Sequence, residues 1–338
     1  MAAYALRRLL LMGPTFLLIT AVVFAAVKLA PGNPFSAART AGEGAVRQMN
    51  PADYQDLLHR YGLDRPWYVQ YGRWLATLAS GSLGISYSQR RPVSQVLFGE
   101  AFPGGGFLSS PLGATLLLNL LATLLMLAVA LPIGFSAALK PGGAADRLAS
   151  GFLYALYSLP NFWVAVLLIL VVGVHFRILP FIGMRSEAFA SLGFWERAVD
   201  VLRHAALPAL CLAYGGMAYV ARFTRRALLE SLGSDFVRAA RARGLPEGRV
   251  LWGHAARNAL LPMITLLGLL LPGLVSGSVI VESLFAWPGM GQLFMKAVYT
   301  RDYPVILAES VLGAVVVLGS TLLADLLYGA ADPRVRLE

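Results

Sequence analysis

Charged residues, cysteine and histidine are what this sequence of 338 residues has least of. Asp, Glu, Lys and Arg make up 14% of it, where a soluble domain carries about 25%. Hydrophobic residues make up 57% and the mean hydropathy is +0.65, which marks an integral membrane protein. The one cysteine, Cys211, excludes an intramolecular disulfide and reads as a packing residue inside an apolar run. The four histidines, His59, His175, His204 and His254, are scattered, without metal-ligand spacing or a cysteine partner. Neither a metal site nor a catalytic set is therefore expected. No Lys-Ser or Lys-Thr follows a glycine-rich loop at phosphate-binding spacing, Gly104 to Gly106 included, so any ATP-driven step belongs to another subunit.

What is present is a series of apolar runs long enough to cross about 30 Å of hydrocarbon. Six are expected as spans: Leu9 to Val27, Leu112 to Leu139, Ser150 to Val174, Ala205 to Ala221, Ala259 to Glu282 and Pro304 to Leu327. None contains Lys or Arg, so the net charge of +10 is read against the lipid bilayer and not against nucleic acid. With both termini cytoplasmic, the inner segments carry about twice the Lys and Arg density of the outer ones, as the positive-inside rule requires. Arg7 and Arg8 before the first run resemble a signal peptide, but without a small-residue cleavage site the run is read as a retained helix.

The chain divides into residues 1–27 with the first span, an outer segment 28–111 with short helices, and a membrane core 112–338. In the outer segment Asn50 and Pro51 start a helix that Gly62 stops, with Tyr54, Leu57, Leu58 and Tyr61 on one stripe. Asp64 and Pro66 start a second, where Trp67, Tyr71, Trp74, Leu75 and Leu78 recur at helical spacing and suit packing at the bilayer rim or against span ends. Gly99 to Ser110 reads as a flexible loop. Pro132, Pro160, Pro208 and Pro272 fall inside spans, where they kink a packed helix or bend a pathway that opens. Glu282, Glu309 and Asp325 are the acids within the spans, each near an end. They are possible pathway residues or interfacial anchors.

Between the fourth and fifth runs lies a polar stretch, residues 222–258, with eight arginines. It is several times longer than an ordinary helix connection of roughly 2 to 8 residues. Ser234 reads as an N-cap, Asp235 as a first-turn acid and Gly244 as the left-handed stop, which predicts a short rigid helix over Asp235 to Arg243. Phe236, Ala239 and Ala240 recur at i, i+3, i+4 spacing, flanked by Arg238, Arg241 and Arg243. Pro246 and Glu247 open a second helix through Val250, Leu251 and His254 toward the fifth span. The pair could lie on anionic lipid, be a solvated connector, or dock into a groove on a soluble partner. Its mostly alanine face suits lipid poorly.

The residues from Phe236 to Leu245, with His254, Arg257, Asn258 and Pro262, resemble the EAA-type coupling loop of ABC-importer permeases, in the form of the dipeptide, oligopeptide and nickel group. Tyr61 to Leu75, the Gly81 to Gly84 turn, SLPNF from Ser158, LPFIG from Leu179, VESLFAWPGMGQL from Val281, RDYP from Arg301 and DLLYGAADPRVR from Asp325 agree with it. The order and the long first outer segment resemble the B-type permease of a pair. Arg238 stands where the general motif has Glu, the Leu261-Pro262 pair falls late, an Asn of the last span is replaced near Thr321, and the Gly99 to Ser110 insertion replaces a helix.

The resemblance implies an all-α polytopic protein with six transmembrane helices and a type I ABC importer permease fold, in a bacterial or archaeal cytoplasmic membrane. It implies a C-type second permease, two ATP-binding-cassette ATPases that hold ATP and Mg, and an extracytoplasmic substrate-binding protein. Asp235, Phe236, Arg238, Ala239, Ala240, Arg243, Gly244 and Leu245 would meet an ATPase, while His254, Arg257, Asn258 and Pro262 support the loop. The solute would be a di- or oligopeptide, or nickel, glutathione or another small solute. An intramembrane enzyme would need a catalytic set at membrane depth, and a non-transporting scaffold would have no need of the coupling loop.

Overall fold

The computed structural model describes residues 2–30, 55–56, 58–59, 62–99 and 106–331. Of the expected helix after Asn50 and Pro51, Gln55, Asp56, Leu58 and His59 are helical, while Tyr54, Leu57 and Tyr61 lie outside the described residues, as do residues 100–105 and 332–338. Among the described residues the chain is all-α, its only strand-like feature a single bridge between Ile85 and Pro92. In chain order the helices are α1 (Ala2–Leu29), α2 (Trp67–Ala79), α3 (Val93–Phe98), α4 (Pro111–Leu139), α5 (Ala144–Tyr157), α6 (Asn161–Leu168), α7 (Phe194–Leu232) and α8 (Asp235–Ala242). They continue as α9 (Glu247–Val250), α10 (Arg257–Val275), α11 (Val279–Leu284), α12 (Met290–Thr300) and α13 (Tyr303–Ala331).

Among the described residues four helices are singly long and apolar enough to cross a bilayer, within α1, α4, α7 and α13. The expected third span is instead a pair, Asp146–Tyr157 and Asn161–His175, bent by 97°. Pro160 supplies the reason: it precedes α6 with extended backbone and cannot continue α5. The expected fourth span is the core of a far longer helix, since α7 runs 39 residues and carries the first third of the polar stretch as a helical stem.

The expected fifth span is divided between α10 and α11 by extended residues at Ser276 and Ser278. Carbonyls released by such a break need partners at membrane depth. The Asn119 amide of α4 supplies them, donating to Gly273, Leu274 and Ser276 carbonyls at 3.0 to 3.1 Å.

The core is built on α4 against α7. Leu118, Ala122, Met126 and Ala130 meet Ala213, Met217, Ala218 and Ala221, and the five alanines among them let two membrane helices approach closely. At Gly134 a Cβ would sit 2.5 Å from the Ala221 carbonyl oxygen, so only glycine allows this spacing. The aromatic stripe of α2 packs on a span as expected. Tyr71 and Trp74 lie 5.2 and 6.2 Å from the Phe24 ring of α1, and the Tyr71 hydroxyl donates to the Leu17 carbonyl.

A fully buried acid, Asp302, fastens the loop before α3 to the start of α13. It accepts from the Ser86 and Ser88 hydroxyls at 2.6 Å and from the Tyr87 and Ser88 amides at 3.1 and 3.0 Å. Hydrogen bonds to a buried charged acceptor are worth more than neutral ones, and deleting it strands all its donors. Asp302→Ala is expected to cost about 3 kcal/mol locally. Hydrogen exchange at residues 86–90 checks this, and unchanged protection there would show that the latch contributes nothing.

Candidate functional site

The polar stretch folds into a clamp between the end of α7 and the start of α10. Helix α7 stops at Gly233, and the Ser234 backbone is extended, as an N-cap should be, but its hydroxyl donates back to the Ser231 carbonyl and does not cap α8. The expected side-chain cap is thus absent, because Ser231 offers the hydroxyl a nearer acceptor. Asp235 sits in the first turn of α8, where the helix dipole favours an anion, and binds the Arg238 guanidinium.

The far end of α8 closes as a Schellman motif. The Leu245 amide donates to the Ala240 carbonyl and the Gly244 amide to the Arg241 carbonyl, with Gly244 at φ +75°. Arg243 is the C-cap, so the helix ends one residue before the expected limit. Arg241 then grips Glu247 at the start of α9 with two bonds, 2.8 and 3.2 Å. The Arg241 guanidinium holds the Glu247 carboxyl below the usual carboxylate range. Its contribution is therefore present at neutral pH and is lost as pH falls through that depressed value. Both groups are exposed, so the pair orients the turn more than it stabilises it.

The expected shared face of Phe236, Ala239 and Ala240 is split. Ala240 and Val237, 2% and 0% exposed, point inward onto Leu228, Val250, Ala255 and Ala259. Phe236, 42% exposed, and Ala239 point outward with Asp235, Arg238, Arg243 and Gly244. Leu245 is half-buried against the inner cluster. The inner face is fixed by packing, because Val237 supplies the volume that would otherwise leave Ala240 over a void.

The Ser231 hydroxyl donates to the Ala255 carbonyl at 2.8 Å, both buried, and joins the stem to the helix that becomes α10. That helix is continuous from α9 through a π-helical stretch Leu251–Ala256. His254, Arg257 and Asn258, expected to tie the loop together, do not bridge it: Arg257 and Asn258 are exposed, and the Asn258 amide donates to the His254 carbonyl in its own helix. Pro262 lies inside α10, on its exposed side.

The span acids are not alike. Glu282 is 1% exposed and so is no interfacial anchor. The short α11 folds its carboxylate under the next loop, where it accepts from the Thr115 hydroxyl at 2.9 Å and the Gln292 amide at 3.1 Å. Thr115 also accepts from the Met290 amide, and the Trp287 indole donates to the Ala114 carbonyl. Glu309 is half-buried and its Oε1 has no hydrogen-bond partner. The Asp325 side chain lies outside the described set. Among the described residues no group of His, Cys, Asp or Glu could hold a metal. Sequence reasoning missed Val237, Ser231, Asn119 and Asp302. Of these only Asp302 carried a signal, an acid two residues before a helix-starting proline.

Residues 130–337, which include the whole clamp, match the family model described as binding-protein-dependent transport system inner membrane component. The chain belongs to that family. This inner membrane component is 38% identical to the oligopeptide transport system permease protein AppB of Bacillus subtilis, over 99% of both chains. It is 37% identical to the dipeptide transport system permease protein DppB of Escherichia coli K12, again over 99% of both. A di/tripeptide transport system permease protein of Pseudomonas aeruginosa is 38% identical over 99% of both. Among solved structures it resembles a chain of the MetNI methionine ABC transporter, with a TM-score of 0.50 at 20% identity, covering 66% of this chain and 94% of that one. That likeness shows the fold alone.

Proposed function

We propose that this chain is the B-type permease subunit of an ABC importer for di- or oligopeptides. With a C-type permease it forms the translocation pathway, fed by an extracytoplasmic binding protein and powered by two separate ATPases that hold ATP and Mg. The supporting observation is the clamp: α8 is a short lever, closed at its far end by a Schellman turn and joined to the ends of two membrane helices, with an outer face that no part of the described chain covers. Asp235, Phe236, Arg238, Ala239, Arg243 and Gly244 form the face that meets an ATPase, while Ala240 and Leu245 hold it in place. Closure of the ATPases pushes α8 and turns α7 and α10 together. The names of the relatives favour peptides over nickel or glutathione. No chemistry is assigned to this subunit itself.

The function is tested with the four subunits and the binding protein in proteoliposomes. Labelled dialanine is expected to accumulate only with ATP and binding protein. ATP-dependent nickel uptake without dialanine uptake would overturn the peptide reading.

In this proposal the bent pair, of which α6 and its continuation cross the bilayer while α5 lies at its surface, and the divided pair α10 and α11 complete six spans, with both termini cytoplasmic. The segments are residues 1–27, an outer stretch 28–111, and a core 112–338 whose coupling loop is 222–258. In a Cys211→Ser background, Arg91→Cys and Arg243→Cys are expected to react with a membrane-impermeant thiol reagent from opposite faces. Labelling from the same face would refute this topology.

A further inference from the structure

Where α5 meets the stem of α7 there is an open cavity of about 730 Å³, at the same end of the molecule as the clamp. Its walls are both basic and aromatic: Arg147, Arg222 and Arg225 stand with Tyr154, Tyr219 and Phe223. The two acids on its rim are already engaged. Asp146 accepts from the Gly142 amide at 2.9 Å and from Arg225 at 3.0 Å, and Glu230 pairs with Arg226 at 2.8 Å. Among the described residues no carboxylate pairs with Arg147 or Arg222. The Arg222 guanidinium lies 5.0 Å from the centre of the Tyr154 ring. Arg225 keeps a buried Nε–H with no acceptor. The cavity therefore carries two cations and a spare donor that the described chain does not satisfy.

The helix in front of this cavity has a second property. Because of the 97° bend, α5 does not continue the direction of α6, and its outer side carries Leu148, Phe152 and Tyr157, each more than 60% exposed. An amphipathic helix with such residues lies in the membrane interface with its apolar side among acyl chains. Basic pockets between membrane helices at the cytoplasmic surface suit anionic headgroups, and each nearby Lys or Arg contributes to that attraction.

We propose that this cavity is a binding site for an anionic phospholipid of the cytoplasmic leaflet. Its phosphate lies between Arg147 and Arg222, within reach of Arg225, and its glycerol and upper acyl chains lie against Tyr157, Tyr219 and Phe223. A free inorganic anion would use the cations but not the aromatic walls or the room. A substrate carboxylate would use the cations but has no need of the apolar side of α5. The site adjoins the helix whose far end carries α8, so an occupied cavity braces the lever. The leaflet rests on the orientation proposed above, whereas the headgroup chemistry does not.

The test uses the intact four-subunit complex in nanodiscs, extracted and examined by native mass spectrometry. The wild-type complex is expected to retain phosphatidylglycerol and not phosphatidylcholine. Arg147→Gln with Arg222→Gln is expected to lower that retention about 30-fold, whereas Arg222→Lys keeps most of it. If the double variant does not assemble, Arg147→Gln alone carries the comparison. Equal retention by wild type and variant would overturn the site, as would equal retention of both lipids or displacement of lipid by millimolar inorganic phosphate. Reversed cysteine labelling together with arginine-dependent retention would move the site to the other leaflet and sink the orientation alone.

Discussion

Glu282→Ala is expected to destabilise the subunit by about 3 to 5 kcal/mol, the largest loss from any one substitution outside the α4 and α7 packing. The carboxylate sits at 1% exposure under the loop that joins α11 to α12. Its two oxygens accept from Thr115 and from the Gln292 amide. Removing it strands donors that water cannot reach, and each stranded donor costs about 1 to 3 kcal/mol. The space left behind adds a cavity cost, because protein interiors relax only in part. Glu282→Gln keeps the volume and one acceptor, so it should recover about half of the loss. Thermal unfolding of the detergent-purified complex measures both. If alanine melts like wild type, the Glu282 network is not what holds this hairpin together.

Burial of Glu282 also shows where sequence order misleads. By position it lies near the end of an apolar run, and a run end ordinarily reaches the interface. The chain instead breaks at Ser276, restarts as α11, and folds the acid back among Thr115, Trp287 and Gln292. Nothing in a one-dimensional hydropathy profile separates a run that ends from one that turns back. The bend after Tyr157 is hidden in the same way. Pro160 was visible, but a proline in an apolar run permits a slight kink or a right angle equally, and packing of α6 against α7 chooses between them.

The termini of α8 were legible because they depend on local chemistry. Asp235 in the first turn and Gly244 past the last are requirements of the backbone itself, and both stand as expected within a residue. Its faces were not legible. In Asp235 to Ala242 four of the five apolar residues form two pairs at i, i+3 spacing, Phe236 with Ala239 and Val237 with Ala240. The pairs are about 100° apart around the helix. A helix of eight residues has too few turns for periodicity to prefer one of them. Leu228 and Val250, contributed from either side of the clamp, make the choice.

That choice gives the other large prediction, a difference in kind between neighbouring residues. Ala240→Asp places a carboxylate at 2% exposure among Leu228, Val237 and Val250, with no described donor set to receive it. Burying an unpaired charge costs several kcal/mol, so the clamp is expected to loosen and the assembled complex to fall in yield. Ala239→Asp adds the same carboxylate to the outer face, where the fold of this chain is indifferent to it. It should leave membrane insertion and the thermal stability of the subunit itself unchanged, yet lower ATP-coupled dialanine uptake by tenfold or more, because the charge falls in the contact with the ATPase. Gly244→Val tests the joint between lever and support. A branched residue at φ +75° forces the Schellman turn open, so uptake should fall through loss of rigidity as well as through any change at the ATPase contact. Uptake, ATPase rate and complex yield measured together separate the three cases. If Ala239→Asp transports normally while Ala240→Asp abolishes uptake without loss of yield, the inward and outward faces of α8 have been assigned the wrong way round.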